Sequence, residues 1–428
     1  MNFLNKKLVL KNQCHIHYHK NLLKEKNKNC SKYIEKGTRQ FIAVTIALFL
    51  AGFATFSILY CVQPILLLLS KHFSLSPAES SLSLSSSTAM MAIGMLFTGP
   101  LSDRIGRKKV MSISLILAAF FTFFCSKMSS WESVIFMRAL TGLALSGVAA
   151  VAMTYLSEEI HPDTLSFSMG LYISGNTIGG FFGRFLSSIL AENFSWQWAL
   201  EWISILALIF SILFVFLLPH SRNFRSVSLH PRKNFVYFLS QWKHPVLSKL
   251  FVMGFLLMGS FVTLFNYIGY RLLLDPFFLS QKIIGILSIV YLIGVYSSPK
   301  AGMLIEKYGK SIMLISSLTI MIFGLFISQC NEIVLIFLGL LLFAAGFFAA
   351  HSVTSTWVGQ QVKNNRGYTS SIYLFSYYLG SSILGTIGGV VWTVGKWMGI
   401  SIFVTFILFI GMILALQLNN MHYKTKVK

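Results

Sequence analysis

Three ionisable side chains stand inside otherwise apolar stretches: Arg138, Arg184 and His351. An ionisable group in hydrocarbon is costly, so each marks a functional position by default. Uncharged polar residues share their depth. Gln63 directly precedes Pro64, Asn176 and Tyr172 lie a turn apart, Asn266 and Tyr267 are adjacent, and Tyr377 is followed by Tyr378. Amides, hydroxyls and ring faces suit hydrogen bonding and stacking on a polyol-like or mixed polar-aromatic solute, although the same aromatics serve as helix packing. His351 titrates near neutral pH and is a candidate proton carrier; a neutral ring bonded to a backbone carbonyl is the plainer reading. Arg138 and Arg184 fall about 10 and 9 Å from one end of their stretches. From there they either snorkel or point inward as gate or substrate groups. No Asp or Glu occurs at mid-depth, and no ATP-binding loop or nucleophile-base set is present, so an enzyme is not expected.

The elements that must position these groups are set by composition. The chain has 428 residues, 55% hydrophobic and 11% charged, with mean hydropathy +0.69. A soluble domain carries about 25% charged residues, so lipid is the main solvent here. Apolar runs of membrane-spanning length cover 41–69, 79–101, 110–127, 131–155, 165–190 and 197–218, then 249–273, 281–303, 311–329, 333–358, 367–392 and 397–417. Helices are predicted for all twelve, because lipid leaves no water for unpaired backbone groups. Five scattered cysteines imply no disulfide framework.

The charge is lopsided, with 35 Lys and Arg against 13 Asp and Glu, a net +22. Counted by alternate sides of twelve spans, 28 of the basic residues fall on the side of both termini and five on the other, with Arg138 and Arg184 inside spans. By the positive-inside rule this places both termini in the cytoplasm. The excess therefore reports orientation, and no nucleic-acid partner is expected. The predicted organisation is a basic disordered tail (1–39), a six-helix half (40–218), a cytoplasmic central loop (219–248), a second six-helix half (249–417) and a short tail (418–428). Cys14, His15, His17 and His19 are metal-ligand types, but a solvated tail is the simpler reading and no metal site is expected.

A loop motif recurs. Gly99-x-x-x-Asp103-Arg104-x-Gly106-Arg107 follows the second span, and Gly302-x-x-x-Glu306-Lys307-x-Gly309-Lys310 follows the eighth, 203 residues later. Glycines of spans four and ten (Gly142, Gly346) match at 204, and those of spans five and eleven (Gly175, Gly180, Gly183 with Gly380, Gly385, Gly388) at 205. Nearly constant offsets mean two six-span halves in the same orientation, the parallel-repeat plan of one large carrier class.

With that duplicated motif, the twelve spans and the central basic loop, residues 39–417 resemble the major facilitator superfamily. The resemblance implies an all-α integral membrane fold of two pseudo-symmetric halves. It implies a secondary carrier working by alternating access, with Gly99, Asp103, Arg104, Gly106, Arg107, Glu306 and Lys307 as a conformational latch. Arg138-x-x-x-Gly142 is similar to the buried arginine motif linked to proton coupling. Gly175-Asn176-x-x-Gly179-Gly180 is similar to the antiporter motif of exporters, with Asn176 in place of its proline, so Gly175, Gly179 and Gly180 are gating or packing glycines. The implied function is proton-coupled efflux of a small sugar- or drug-like solute from a bacterium, across its inner membrane. The implied protein is a monomer in the bilayer, with no cofactor beyond the transported proton. An uptake carrier or uniporter of the same fold, or a non-transporting receptor or scaffold, are the alternatives.

Overall fold

The computed structural model describes residues 33–224, 231–362 and 366–426. Ten of the described helices are long and apolar enough to cross a membrane. One of these, Tyr368–Met421, is two helices merged across a break at Lys396, which has φ 47°. The helix Pro162–Asn193 is not among the ten; its five glycines and its serines dilute its hydropathy. Counting both gives twelve spans among the described residues.

Spans one to six are Arg39–Phe73, Pro77–Ile105, Arg107–Cys125, Trp131–Glu159, Pro162–Asn193 and Trp196–Leu217. Spans seven to ten are Pro245–Leu273, Gln281–Tyr308, Lys310–Ile327 and Ile333–Gln361. Span eleven is 366–395 and span twelve 397–426. An even number of spans puts the start of span one and the end of span twelve on one membrane face, here the terminal face.

Two spans are locally unwound. Span one leaves α-helical geometry at Cys61 and passes through a tight 3₁₀ turn, Gln63–Ile65. Pro64 lacks an N–H and clashes with the carbonyl four residues back, so the ladder cannot run through it. Span eight tightens similarly at Ser288–Leu292.

Packing repeats between the halves. Span one packs on five, two on four, seven on eleven and eight on ten, while spans two and eleven, and five and eight, meet across the halves. Small residues set the closest seams. A Cβ on Gly175 would lie 2.4 Å from the Phe49 carbonyl oxygen, and one on Gly179 2.3 Å from that of Phe53. The Ser57 hydroxyl donates to the Gly179 carbonyl at 2.9 Å. In the second half, a Cβ on Gly380 would lie 2.0 Å from the Phe255 carbonyl oxygen.

Two expectations change. The segment 33–38, read as the end of a disordered tail, is held in place. Ile34 is buried, its N–H donates to Glu159 O, and its carbonyl accepts from His161 N. The central loop contains a helix, Pro231–Lys243, docked on the second half through Tyr237 to Thr369, Phe238 to Phe375 and Trp242 to Phe251. Cys14, His15, His17 and His19 lie outside the described residues.

Candidate functional site

The two buried arginines of the first half have different surroundings. Arg138 is fully buried, so it does not snorkel. Its Nε donates to Ser83 O at 2.8 Å, and its terminal nitrogens donate to Ile58 O (3.1 Å) and Leu59 O (2.8 Å). Ile58 and Leu59 belong to the last turn before the Pro64 break, where helix carbonyls lose their intrahelical donors. A cation there also meets the negative end of the helix dipole. Arg138 thus caps the broken span one and ties it to spans two and four.

Arg184 sits on span five and is 4% exposed. The span runs to Asn193, beyond the expected end at 190, so Arg184 lies deeper than its sequence position indicated. Its Nε donates to Gln63 Oε1 at 2.6 Å and a terminal nitrogen donates to Gly180 O at 2.6 Å. The guanidinium carbon stands 4.2 Å from the Tyr60 ring centroid and 4.0 Å from that of Tyr291. Such cation–π contacts contribute about 2 kcal/mol each when desolvated. Among the described residues no carboxylate pairs with Arg184.

Gln63 links this cation to the other half. Its Nε2 donates to Asn266 Oδ1 at 2.8 Å, and Tyr291 OH donates to Gln63 Oε1 at 3.3 Å. Gln63 lies on the first span of one half and Asn266 on the first span of the other, so this bond joins the two repeats. Tyr267, next in sequence, donates instead to Gly385 O at 2.8 Å within its own half. A small crevice beside this network, with room for little more than a water molecule in this conformation, is lined by Gln63, Arg184, Tyr291 and Ser288 together with Phe265, Ile268 and other apolar side chains.

His351 is removed from that network. Its Nδ1 lies 2.9 Å from Tyr373 OH, and its ring packs on Tyr377 at 4.6 Å and stacks on Phe347 at 6.2 Å. Tyr377 is buried in the same aromatic cluster. Tyr172 and Asn176 face span one; Asn176 Oδ1 is buried without a partner, and Gly52 leaves room for it. Span five remains an unbroken helix through Asn176, as expected where the motif's proline is missing.

The loop motif is built differently in the two halves. Gly106 and Gly309 have φ of +104° and +83°, a region closed to most side chains, which explains why both copies carry glycine there. In the first copy Arg107 pairs with Asp103 and grips Glu158 with two bonds, 3.1 and 2.7 Å, while a terminal nitrogen donates to Ser102 Oγ at 2.5 Å. The loop is thereby fastened to the end of span four. Glu306 makes no ion pair among the described residues, and Lys307 lies over the Tyr308 ring at 5.1 Å.

Away from the terminal face the halves are drawn together. Ser80 and Tyr270 hydroxyls are 2.7 Å apart, Gln281 donates to Pro64 O at 2.6 Å, and Lys282 N donates to Glu192 Oε2 at 2.6 Å. A Cβ on Gly389 would lie 2.3 Å from Ala78 Cα, and one on Gly285 2.6 Å from Ser188 Cβ. Toward the terminal face the corresponding helices are loose: a Cβ on Gly99, Gly170 or Gly302 would meet nothing within 4 Å.

This architecture agrees with what the sequence matches. The profile of the Major Facilitator Superfamily aligns with residues 48–296, more than half of the chain. The chain belongs to the major facilitator superfamily. It is 69% identical over 392 residues to an uncharacterized transporter of Buchnera aphidicola subsp. Baizongia pistaciae, covering 92% of this chain and 96% of that protein. It is 54% identical over 390 residues to the inner membrane transport protein YnfM of Escherichia coli, covering 91% and 94%. Among solved structures, a bacterial homologue of the human lysosomal transporter Spinster superimposes with a TM-score of 0.73 at 14% identity, over 90% of this chain and 98% of that one. The chain is therefore a multi-pass, all-α membrane protein of a transport superfamily.

Sequence reasoning missed Tyr60 and Tyr291 as partners of Arg184, and Glu158 as the partner of Arg107. Arg271, near the end of span seven, is buried and caps the end of span nine through the carbonyls of Ser328, Gln329 and Cys330. Only Glu158 left a sequence signal, as one of three acids with Glu159 and Asp163 in a connection that has no Lys or Arg.

Proposed function

We propose that this protein is a secondary carrier that moves a small organic solute by alternating access across the bacterial inner membrane. The terminal face is cytoplasmic in this reading, as the basic residues on that side favour. One observation carries it. The halves are joined by hydrogen bonds and glycine contacts away from the terminal face, while glycines of the same crossing helices face open space toward it. That asymmetry is the form of a carrier closed to the outside. Reversing it requires the loop motifs to change their contacts, which is the latch role proposed for Gly99, Asp103, Arg104, Gly106, Arg107, Glu306 and Lys307.

Export driven by protons is the direction favoured by the glycine motif of span five, with a sugar- or drug-like solute. Uptake or uniport is the second reading. It is favoured by a specific observation: among the described residues, the mid-membrane network of Gln63, Arg184, Asn266 and Tyr291 contains no carboxylate to carry a proton. Metabolite profiles of cells with and without the protein would select a solute. Flux of that solute in proteoliposomes under an imposed pH gradient would then separate the readings. Export predicts a rate that follows the gradient, and a rate indifferent to it leaves uniport.

A further inference from the structure

We propose that Arg184 is the anchor for an organic carboxylate with a flat, apolar body, bound between the two halves; this rests on the carrier reading above. Arg184 is a fixed cation held almost entirely out of water, with no acid in pairing range among the described residues. Leaving a buried charge without a counter-charge costs several kcal/mol. The protein offsets part of that with the faces of Tyr60 and Tyr291 and two neutral acceptors. None of these supplies negative charge.

Arg138, a buried guanidinium that holds helices, also has no acid partner among the described residues, but three backbone carbonyls accept from it. Arg184 is treated otherwise. It lines a cavity, and its aromatic walls come from opposite halves, Tyr60 from span one and Tyr291 from the unwound part of span eight. A second donor on the same network, Asn266 Nδ2, is buried without any acceptor. A guanidinium fork and an amide N–H are donors only and suit a carboxylate, which only accepts. Phe265, Ile268, Ile284, Leu287 and Leu340 complete the lining of this small crevice, so a solute that enters as the halves part meets mainly apolar side chains, and its body should be planar where it meets the rings of Phe265 and Tyr291.

The repeat sharpens the point. At the offset of 205, the position equivalent to Arg184 is Gly389, which packs on Ala78. The pseudo-symmetric pair is one cation and one contact glycine, so the site has a single charge and takes a single anionic group. Because Gln63 joins Arg184 to Asn266, an anion that neutralises Arg184 acts at the place where the halves are hydrogen-bonded.

The test is calorimetric binding to the detergent-purified full chain, with benzoate, benzamide and benzylamine as probes of equal shape and different charge. Benzoate is expected to bind at least about tenfold more tightly than benzamide, with benzylamine weaker than both. Arg184→Gln should abolish the preference and Arg184→Lys should keep part of it. Benzoate binding no better than benzamide in the unaltered protein overturns the proposal and needs no variant to fold. An undiminished preference in Arg184→Gln overturns it also. The carrier reading fails separately, by absence of solute flux in proteoliposomes, so flux without carboxylate preference would sink this inference alone.

Discussion

At the residue scale, buried arginines in this membrane protein do different work according to what their nitrogens meet. Arg138 finds three carbonyls, two of them released by the Pro64 break. Replacing it with Leu takes the donor from Leu59 O, while Ile58 O keeps the Cys61 thiol and Ser83 O lies within its own helix, at about 1–3 kcal/mol for a buried group left unpaired. Arg138→Leu is therefore expected to destabilise by about 1–3 kcal/mol, seen as a lower thermal midpoint in detergent. An unchanged midpoint would show that the capping is dispensable. The glycines of span five divide in the same way. Gly179 presses on Phe53 backbone, whereas the nearest obstacle to a Cβ on Gly180 is the movable Arg184 side chain at 3.2 Å. Gly179→Ala should cut the yield of folded protein in the membrane severalfold. Gly180→Ala should leave yield intact and, under the proposed role of Arg184, alter solute affinity.

At the element scale, the loop between spans two and three is fastened by charge. Arg107 is largely buried and bonds Asp103, Ser102 and both oxygens of Glu158. Charge-assisted bonds of this kind contribute about 1.5–3 kcal/mol. Glu158→Gln should lose one to two kilocalories of that range, measured by thermal unfolding, and Gly106→Ala should add strain of about 1–3 kcal/mol from its positive φ. Gly99→Ala is the control, since nothing crowds it in this conformation. It should leave stability unchanged. Reduced flux in Gly99→Ala with normal stability would indicate that span two must pack there in the alternate state.

At the scale of the whole molecule, the halves are held together away from the terminal face by short polar contacts between spans two and eleven. Ser85 Oγ and Thr386 Oγ1 are 2.8 Å apart, close to the reach of a disulfide. Ser85→Cys with Thr386→Cys should cross-link on oxidation and stop flux, and reductant should restore it. Flux that continues through the cross-linked form would contradict rocking of one half against the other. The exposed native Cys330 should be replaced by serine in that background.

Much of this was legible in the sequence. Span positions and the all-α class follow from apolar runs, because in lipid each span must satisfy its backbone within itself. Its pairing is therefore local and readable. The repeat was visible as constant offsets, and the need for glycine at Gly106 and Gly309 as a shared spacing. Polar residues at depth were also visible one by one: Gln63, Arg138, Arg184, Asn266 and His351. What the sequence could not decide was which of them meet. Gln63 reaches Asn266 across 203 residues and Arg184 across 121, while His351 turns away to Tyr373. Tyr60 and Tyr291 look like ordinary packing aromatics until they enclose a cation. Those outcomes depend on how two preformed helical bundles dock and where Pro64 unwinds one of them. A side chain's partner in a helical membrane protein is set by interhelical geometry, which no local pattern encodes.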